Sequence, residues 1–516
     1  MIFKFPTQNI LMPFVEHALI KPNTIESRTY QETVLNTTSK RNTLCVLPTG
    51  LGKTTLAILL AAHRMEKCPD SKVLITAPTR PLCAQHQKIF RECMNIPEEE
   101  IILLTGQISS DKRGDMYKEA RIISATPQTI DNDLRNGTFD LSDFSLLIVD
   151  ECHRSVKKYA YPFVAKIYTE KAKNPRILGL TASPGSDEGK IKQICNSLFI
   201  DAVEIRTELD EDVKPFIKSI TTEYEKVSLP ENLKSAQTLL KTALRERLDK
   251  LKKYNIFVKR KRDLLEAQQK VSKQIATQRK PFMFYLISLI VEAVKVWHVL
   301  ELLETQSVKA TQIYIEKIGQ KKTKSDKSIL NDPNFIKAMG IIENSEEHPK
   351  IMKLKEVLGR EFERNKNVKL IIFSHFRDNI YNIYDSLQEI CRPVILIGQA
   401  GERGLSQKEQ IDVIKDFNAD YFNCLITSPI GEEGLHIPSA DIAVFYDSVP
   451  SEIRTIQRRG RVGRTKVGKI IFLLTKDTID ESYFWTAYRK EKRMKMILRE
   501  MQNKNEKEQQ SIDGFT

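Results

Sequence analysis

The residues best equipped for chemistry cluster first between positions 46 and 55, in the stretch VLPTGLGKTT. Gly50 and Gly52 let backbone amides approach a phosphate chain, Lys53 can reach the β and γ phosphates, and Thr54 can hold Mg²⁺, with Thr49 and Thr55 completing the loop. Leu47 stands where the general pattern G-x-x-x-x-G-K-[ST] has its first glycine, and it reads as the last residue of a strand and not as part of the cradle. The apolar run LCVL comes just before, and TLAILLAAHRM follows with helical spacing. Strand, glycine loop and helix in that order form a phosphate site, because the helix start adds its positive end.

About a hundred residues on, SLLIVDECH places Asp150 and Glu151 at the end of an apolar strand. An aspartate there can complete a Mg²⁺ shell, and the adjacent glutamate can orient and deprotonate an attacking water. Upstream, Arg28-Thr-Tyr-Gln31 lies at a distance suited to folding back on a base, and a glutamine amide can pair with N6 and N7 of adenine, which selects ATP. Near the other end, IQRRGRVGR at 456 to 464 offers Arg461 and Arg464 as fingers for γ-phosphate charge, an effect worth about 10³ to 10⁵ in rate in other enzymes. A site completed by two distant segments implies a cleft that closes on ATP and opens after hydrolysis.

The elements that must position these groups follow a clear rhythm. From Leu44 to Ile205, and again after about 345, short apolar runs end in turns and alternate with helical stretches, which predicts two parallel sheets with helical crossovers. Between them the chain is rich in Leu, Lys, Glu and Gln at helical spacing, with fourteen basic against four acidic residues in 241 to 280. The expected fold is α/β: two RecA-like parallel-sheet domains, 1–205 and 345–490, with an inserted α-helical domain at 206–344 and a charged tail at 491–516. Lys259, Arg260, Lys261 and Arg262 are candidates for a clamp on duplex phosphates; a solvated helix face is the plainer alternative.

Composition narrows the partners. A net charge of +14 favours a polyanion such as nucleic acid. The eight cysteines form no CxxC pair, so neither a zinc site nor a disulfide framework is expected, and they read as reduced thiols of a cytoplasmic protein. No secretory leader is evident, and the apolar stretch Phe282 to Leu303 is interrupted by Glu292 and Lys295, as in a buried helix and not a membrane span.

The order of PTGLGKT, APTRP, DECH, TAS, TSPIGEEGLHIP and QRRGRVGR resembles the successive motifs of superfamily 2 helicases over nearly the whole chain. Within that superfamily, GERGLSQKEQ, EEGLHIP, YDSVPSEIRTIQRRGRVGR and ESYFWTAYRKEK are most similar to the archaeal Hef helicases and their eukaryotic FANCM relatives. The resemblance implies ATP- and Mg²⁺-dependent remodelling of forked, branched or duplex DNA in replication-fork repair. It further implies a nucleoid-associated setting, 3′ to 5′ movement, and replication or repair partners such as a sliding clamp or nuclease. It casts Pro78, Thr79, Arg80, Thr105, Gly106, Thr126, Pro127 and Gln128 as strand contacts in the first motor. Ser374, His375, Gln399, Thr427 and the neighbouring Ser428 play that part in the second. It also casts His153, Thr181, Ser183 and Gln457 as couplers of the two sites, and Gly434 as a nucleotide contact.

The chain departs from the pattern at His436, where the family usually has the aspartate of EEGLD, which puts that nucleotide contact in doubt. No ERKxxxD signature occurs, so no nuclease activity is expected from this chain. A double-stranded RNA helicase or sensor is the alternative, since RNA sensors share the DECH spelling and a helical insertion, but their zinc-binding cysteines are missing. A silent scaffold is disfavoured by the intact Lys53, Asp150, Glu151, Arg461 and Arg464.

Overall fold

Runs such as LCVL and LLIVD are apolar at every position because their strands are covered on both faces, and both sheets built from such runs are parallel throughout. The computed structural model describes residues 14–156, 159–216, 220–278, 280–321, 323–399, 404–428, 440–459 and 468–513, with side chains described as far as 504 in the last helix. The first sheet holds β1 (Thr43–Val46), β2 (Lys72–Thr76), β3 (Ile101–Leu104), β4 (Ile122–Ala125), β5 (Phe144–Val149), β6 (Ile177–Thr181) and β7 (Ala202–Ile205). Their order is β3-β4-β2-β5-β6-β1-β7.

The second sheet holds β8 (Ile220–Val227), β9 (Leu370–Phe373), β10 (Pro393–Leu396), β11 (Cys424–Thr427), β12 (Ile442–Phe445) and β13 (Gly468–Thr475), in the order β10-β11-β9-β12-β13-β8. Strand β8 falls inside the stretch expected to form the inserted helical domain. It pairs in parallel with β13, and its sequence ITTEYEKV conceals it because an exposed edge strand has no apolar run. Ion pairs hold it instead: Glu223 to Lys469 at 2.8 Å and Glu225 to Arg360 at 2.6 Å. Just before it, Val213 is buried in the core of the first unit, so the chain leaves that unit later than residue 205.

Between β8 and β9 lies the helical bundle, built from Glu231–Lys252, Lys261–Thr277, Pro281–Thr305, Val308–Gln320, Lys324–Leu330 and Pro333–Glu343 around a core that includes Leu233, Ile290, Val296 and Phe335. The two charges interrupting its most apolar helix are paired inside: Glu292 accepts from Ser328 at 2.8 Å, and Lys295 meets Asp326. Among the described residues no helix is long and apolar enough to cross a membrane. All eight cysteines are free, and six are buried.

The expected tail is helical as far as Asp513. The last helix runs from Ile479 to Asp513, leaves the second sheet after β13, and buries Met494, Ile497 and Leu498 in the core of the first unit. Gln502 accepts the Ile205 amide at 3.1 Å, and Arg499 reaches Asp210. The apolar spacing 494, 497, 498, 501 makes a helical stripe that the surrounding charges mask in composition.

Candidate active site and nucleic-acid interface

The phosphate loop, the Asp150–Glu151 pair and the strand-contact loops of the first unit follow the carboxyl ends of parallel strands, so one edge of that sheet collects them. Thr49, Gly50 and Gly52 follow β1, and Gly50 and Gly52 take φ of 88° and 71°, the left-handed region that glycine enters at little cost. A Cβ on Gly52 would stand 2.5 Å from the Gln31 amide nitrogen, so the loop and the predicted base-reading residue are in contact. Gln31 is 2% exposed and its Oε1 accepts no hydrogen bond, leaving a buried acceptor at the loop; Arg28 lies beside it, 3.4 Å from the Tyr30 hydroxyl. Leu47 falls one residue past the end of β1, not within it, but it is fully buried and its amide continues the ladder to Thr181 at 3.2 Å.

Lys53, Thr54 and Thr55 open the helix Lys53–Lys67, and the Lys53 amine folds onto the carbonyls of Leu47 (2.9 Å) and Pro48 (3.3 Å). Asp150 and Glu151 end β5, with Glu151 at φ 48°. Asp150 accepts the His86 ring nitrogen at 2.9 Å and the Glu151 amide at 2.9 Å, while its carbonyl accepts the Tyr161 hydroxyl at 2.7 Å. Burial pushes the Asp150 carboxyl up, but the bond and charge of His86, with Lys53, outweigh it and hold the group below the ordinary aspartate value.

A chain of contacts leaves this pair. Glu151 lies 3.2 Å from His153, His153 lies 3.1 Å from the Thr181 hydroxyl, and Thr181 and Ser183 bond each other at 3.1 Å. The Ser183 hydroxyl then reaches the Met494 sulfur at 3.0 Å. Glu452 accepts the Ser186 amide at 2.9 Å, a second tie between the two units.

Along the first sheet, Pro78, Thr79 and Arg80 follow β2, Thr105 and Gly106 follow β3, and Thr126, Pro127 and Gln128 follow β4. Because these strands are neighbours, the groups form one face; Arg80 passes 3.9 Å from the place of a Gly106 Cβ. Arg80, Gly106 and Gln128 are exposed, whereas Thr105 and Pro127 are buried, and Thr126 caps its helix by accepting from Thr129.

In the second sheet His375 and Gln399 are exposed, but Ser374 and Thr427 turn inward at 1% and 0% exposure. Ser374 donates to Asp447 at 3.3 Å, and Thr427 donates to the Leu396 carbonyl at 3.1 Å, with Ser428 alongside. These hydroxyls tie strand ends together. Gln457 is buried in the helix Glu452–Arg459, and its Oε1 has no hydrogen-bond partner among the described residues. Arg461, Arg464, Gly434 and His436 lie outside the described residues.

The proposed clamp residues divide. Lys259 and Arg260 are exposed and Arg262 pairs with Glu266 at 2.7 Å, but Lys261 is committed to Glu301 at 2.5 Å and serves the bundle. The reading from spacing missed His86, Asp447 and Met494. His86 lies on the buried stripe Cys83, His86, Phe90, and a histidine on an inward stripe was the available signal. Asp447 gathers Ser374, the His375 amide (2.6 Å) and Gln306 of the bundle (3.1 Å), which no local pattern announces.

Comparison with known proteins agrees with this layout. Residues 28–191 match the "DEAD/DEAH box helicase" family, 349–466 the "Helicase conserved C-terminal domain", and 232–348 the family described as "Putative ATP-dependent RNA helicase, helical bundle". The crystal structure of the Pyrococcus furiosus Hef helicase domain superposes with a TM-score of 0.69 at 40% identity, over 89% of this chain and 98% of that one. The chain belongs to the Hef helicase family.

It has the two parallel-sheet domains and intervening helical bundle of an ATP-dependent helicase. A "Putative ATP-dependent RNA helicase" of Methanocaldococcus jannaschii is 42% identical over 95% of this Hef-family chain, and the "ATP-dependent DNA helicase mph1" of Aspergillus niger 30% identical over 95%. The chain spans 63% and 47% of those two proteins.

Proposed function

We propose that the chain is an ATP-driven motor that branch-migrates or unwinds forked and branched DNA in replication-fork repair. The observation that carries the reading is the contact chain from Glu151 through His153, Thr181 and Ser183 to Met494, which joins the hydrolytic edge of one unit to a helix rooted in the other. The mph1 relative, named as a DNA helicase, supports the preference for DNA.

In this mechanism Gly50, Gly52 and Lys53 cradle the phosphates of ATP, Gln31 reads adenine with its unsatisfied Oε1, and Arg28 flanks the base. Thr54 and Asp150 would hold Mg²⁺, which supplies charge neutralisation on the phosphates; one carboxylate and one hydroxyl suit an ion that keeps several waters. Glu151 orients and deprotonates the attacking water, while Arg461 and Arg464 stabilise the γ-phosphate from the second unit and Gln457 senses closure. Arg80, Gly106, Gln128, His375 and Gln399 supply the exposed grip on the strand, and movement runs 3′ to 5′. The setting is the chromosome in the cytoplasm, with a clamp or nuclease as a working partner.

The names of the Methanocaldococcus relative and of the bundle family favour a second reading, an RNA-dependent ATPase. ATP hydrolysis measured at one salt concentration with forked DNA, linear duplex DNA and double-stranded RNA separates the two. Strongest stimulation by the fork is expected; strongest stimulation by RNA overturns the DNA reading.

A further inference from the structure

Asp447 lies just past β12 at 2% exposure, and one of its carboxylate oxygens gathers donors from distant parts of the chain. Oδ2 accepts the His375 amide at 2.6 Å, the Ser374 hydroxyl at 3.3 Å and the Gln306 side-chain amide at 3.1 Å. Ser374 and His375 follow β9, and His375 is one of the exposed candidates for the strand grip. Gln306 is the fully buried residue that leaves the bundle helix Pro281–Thr305. Its carbonyl accepts the Tyr446 hydroxyl at 2.9 Å, so the bundle exit and the end of β12 hold each other twice.

The other oxygen faces the arginine helix Glu452–Arg459. Arg458 is fully buried, donates to the Asp447 carbonyl at 3.1 Å, and sets its guanidinium over the Phe373 and Phe445 rings at 5.4 and 5.6 Å. Its Nη1 stands 3.8 Å from Asp447 Oδ1, which is ion-pair range but beyond a hydrogen bond, and Oδ1 accepts no hydrogen bond among the described residues. A buried carboxylate oxygen without a donor is costly, so a small shift that brings the guanidinium into bonding range is favoured. Gln306 Oε1 is buried in the same state. One carboxylate is thus shared by the strand-contact loop, the bundle and the helix that bears Gln457, with Arg461 and Arg464 next in sequence.

We infer that Asp447 is a positioning residue that relays engagement of a strand at His375, and the placement of the bundle, to the arginine helix; this rests on the nucleic-acid motor reading. Its partners include no residue of the phosphate loop and neither Asp150 nor Glu151, so it acts through its neighbours. When the loop after β9 shifts, the His375 amide carries Oδ2 with it and Oδ1 closes on Arg458. The charge is essential to this relay. An amide of the same shape has one acceptor oxygen, so in Asp447→Asn the new NH₂ group faces either the gathered donors or the guanidinium, and one side of the joint sets donor against donor.

The test is ATP hydrolysis by the full chain, with and without a saturating DNA fork, together with the KM for ATP and circular dichroism. Asp447→Asn should lower the fork-stimulated kcat about 10-fold, lower the rate without DNA less, and leave the KM for ATP within about 2-fold. Arg458→Gln should act on the same ratio without adding to it, so that the double variant stays within about 2-fold of the less active single one. Gln306→Met, which removes only the bundle's donor, should reduce the ratio about 3-fold.

Equal falls with and without DNA, an additive pair, or no fall in a folded variant would each overturn the relay. Should Asp447→Asn fail to fold, Gln306→Met decides alone by the same ratio. Failure of the motor reading looks different: no nucleic acid would then stimulate hydrolysis by the wild-type chain, and the relay falls with it before any variant is compared.

Discussion

Replacing Leu498 by alanine tests whether the last helix is a structural tie between the two units. Met494, Ile497 and Leu498 are 2%, 5% and 0% exposed, and the core they enter belongs to the first sheet. At about 1.5–3 kcal/mol for each fully buried side chain, the three residues contribute on the order of 5–9 kcal/mol to docking, as an upper figure. Leu498→Ala should cost about 2–5 kcal/mol, the transfer of three carbons plus the void left among rigid neighbours. Met496, on the same helix but 56% exposed, supplies the control, and Met496→Ala should stay within about 0.5 kcal/mol. The assay is urea unfolding of the full chain followed by far-ultraviolet circular dichroism and tryptophan fluorescence, with Trp485 near the start of that helix. Equal midpoints for the two variants would refute the docking argument. Because Ser183 touches Met494, Leu498→Ala should also lower DNA-stimulated hydrolysis more than hydrolysis without DNA.

Gly52→Ala should abolish turnover, since φ of 71° strains any L residue and the new Cβ meets Gln31 at 2.5 Å; nucleotide affinity measured with a fluorescent ATP analogue should fall together with hydrolysis. Lys53→Ala should likewise end hydrolysis while fork binding persists in anisotropy; sustained turnover would remove the amine from the site.

His348 is fully buried, its Nδ1 accepts the Lys350 amide at 3.2 Å, and burial with the Lys350 charge lowers its pKa to about 3. A depressed histidine contributes stability that is complete above its unfolded pKa near 6.5 and is lost as pH falls towards 3, up to about 4–5 kcal/mol. His348→Gln should flatten this dependence in melts between pH 7 and 4. Lys350, itself fully buried, pairs with Asp480 at 2.7 Å and donates to the Tyr446 carbonyl at 2.6 Å, so Lys350→Ala should cost about 3–5 kcal/mol in the same melts by leaving Asp480 unpaired.

The candidate ATP site was legible in the chain because its residues are local: glycines, Lys53 and Thr54 lie in one short loop, and Asp150 and Glu151 are adjacent at a strand end. The two sheets were legible because strands covered on both faces need unbroken apolar runs. Strand β8 was not, since an edge strand held by Glu223 and Glu225 carries no such run. Ser374 and Thr427 had the right types and places in their motifs, yet the hydroxyl of each is taken up by neighbouring groups once the strands assemble.

By itself the sequence determined the ATP-dependent helicase class, the two α/β units and the basic character of the helices between them. Tertiary structure alone decided that His86 holds Asp150, that Asp447 joins the bundle to the second sheet, and that a charged segment resembling a tail closes the core of the first unit. The physical reason is the same in each case. Composition and spacing report what a residue can do next to its neighbours in the chain, whereas these three contacts link residues 64, 141 and 311 positions apart, whose meeting is set by the packing of whole elements.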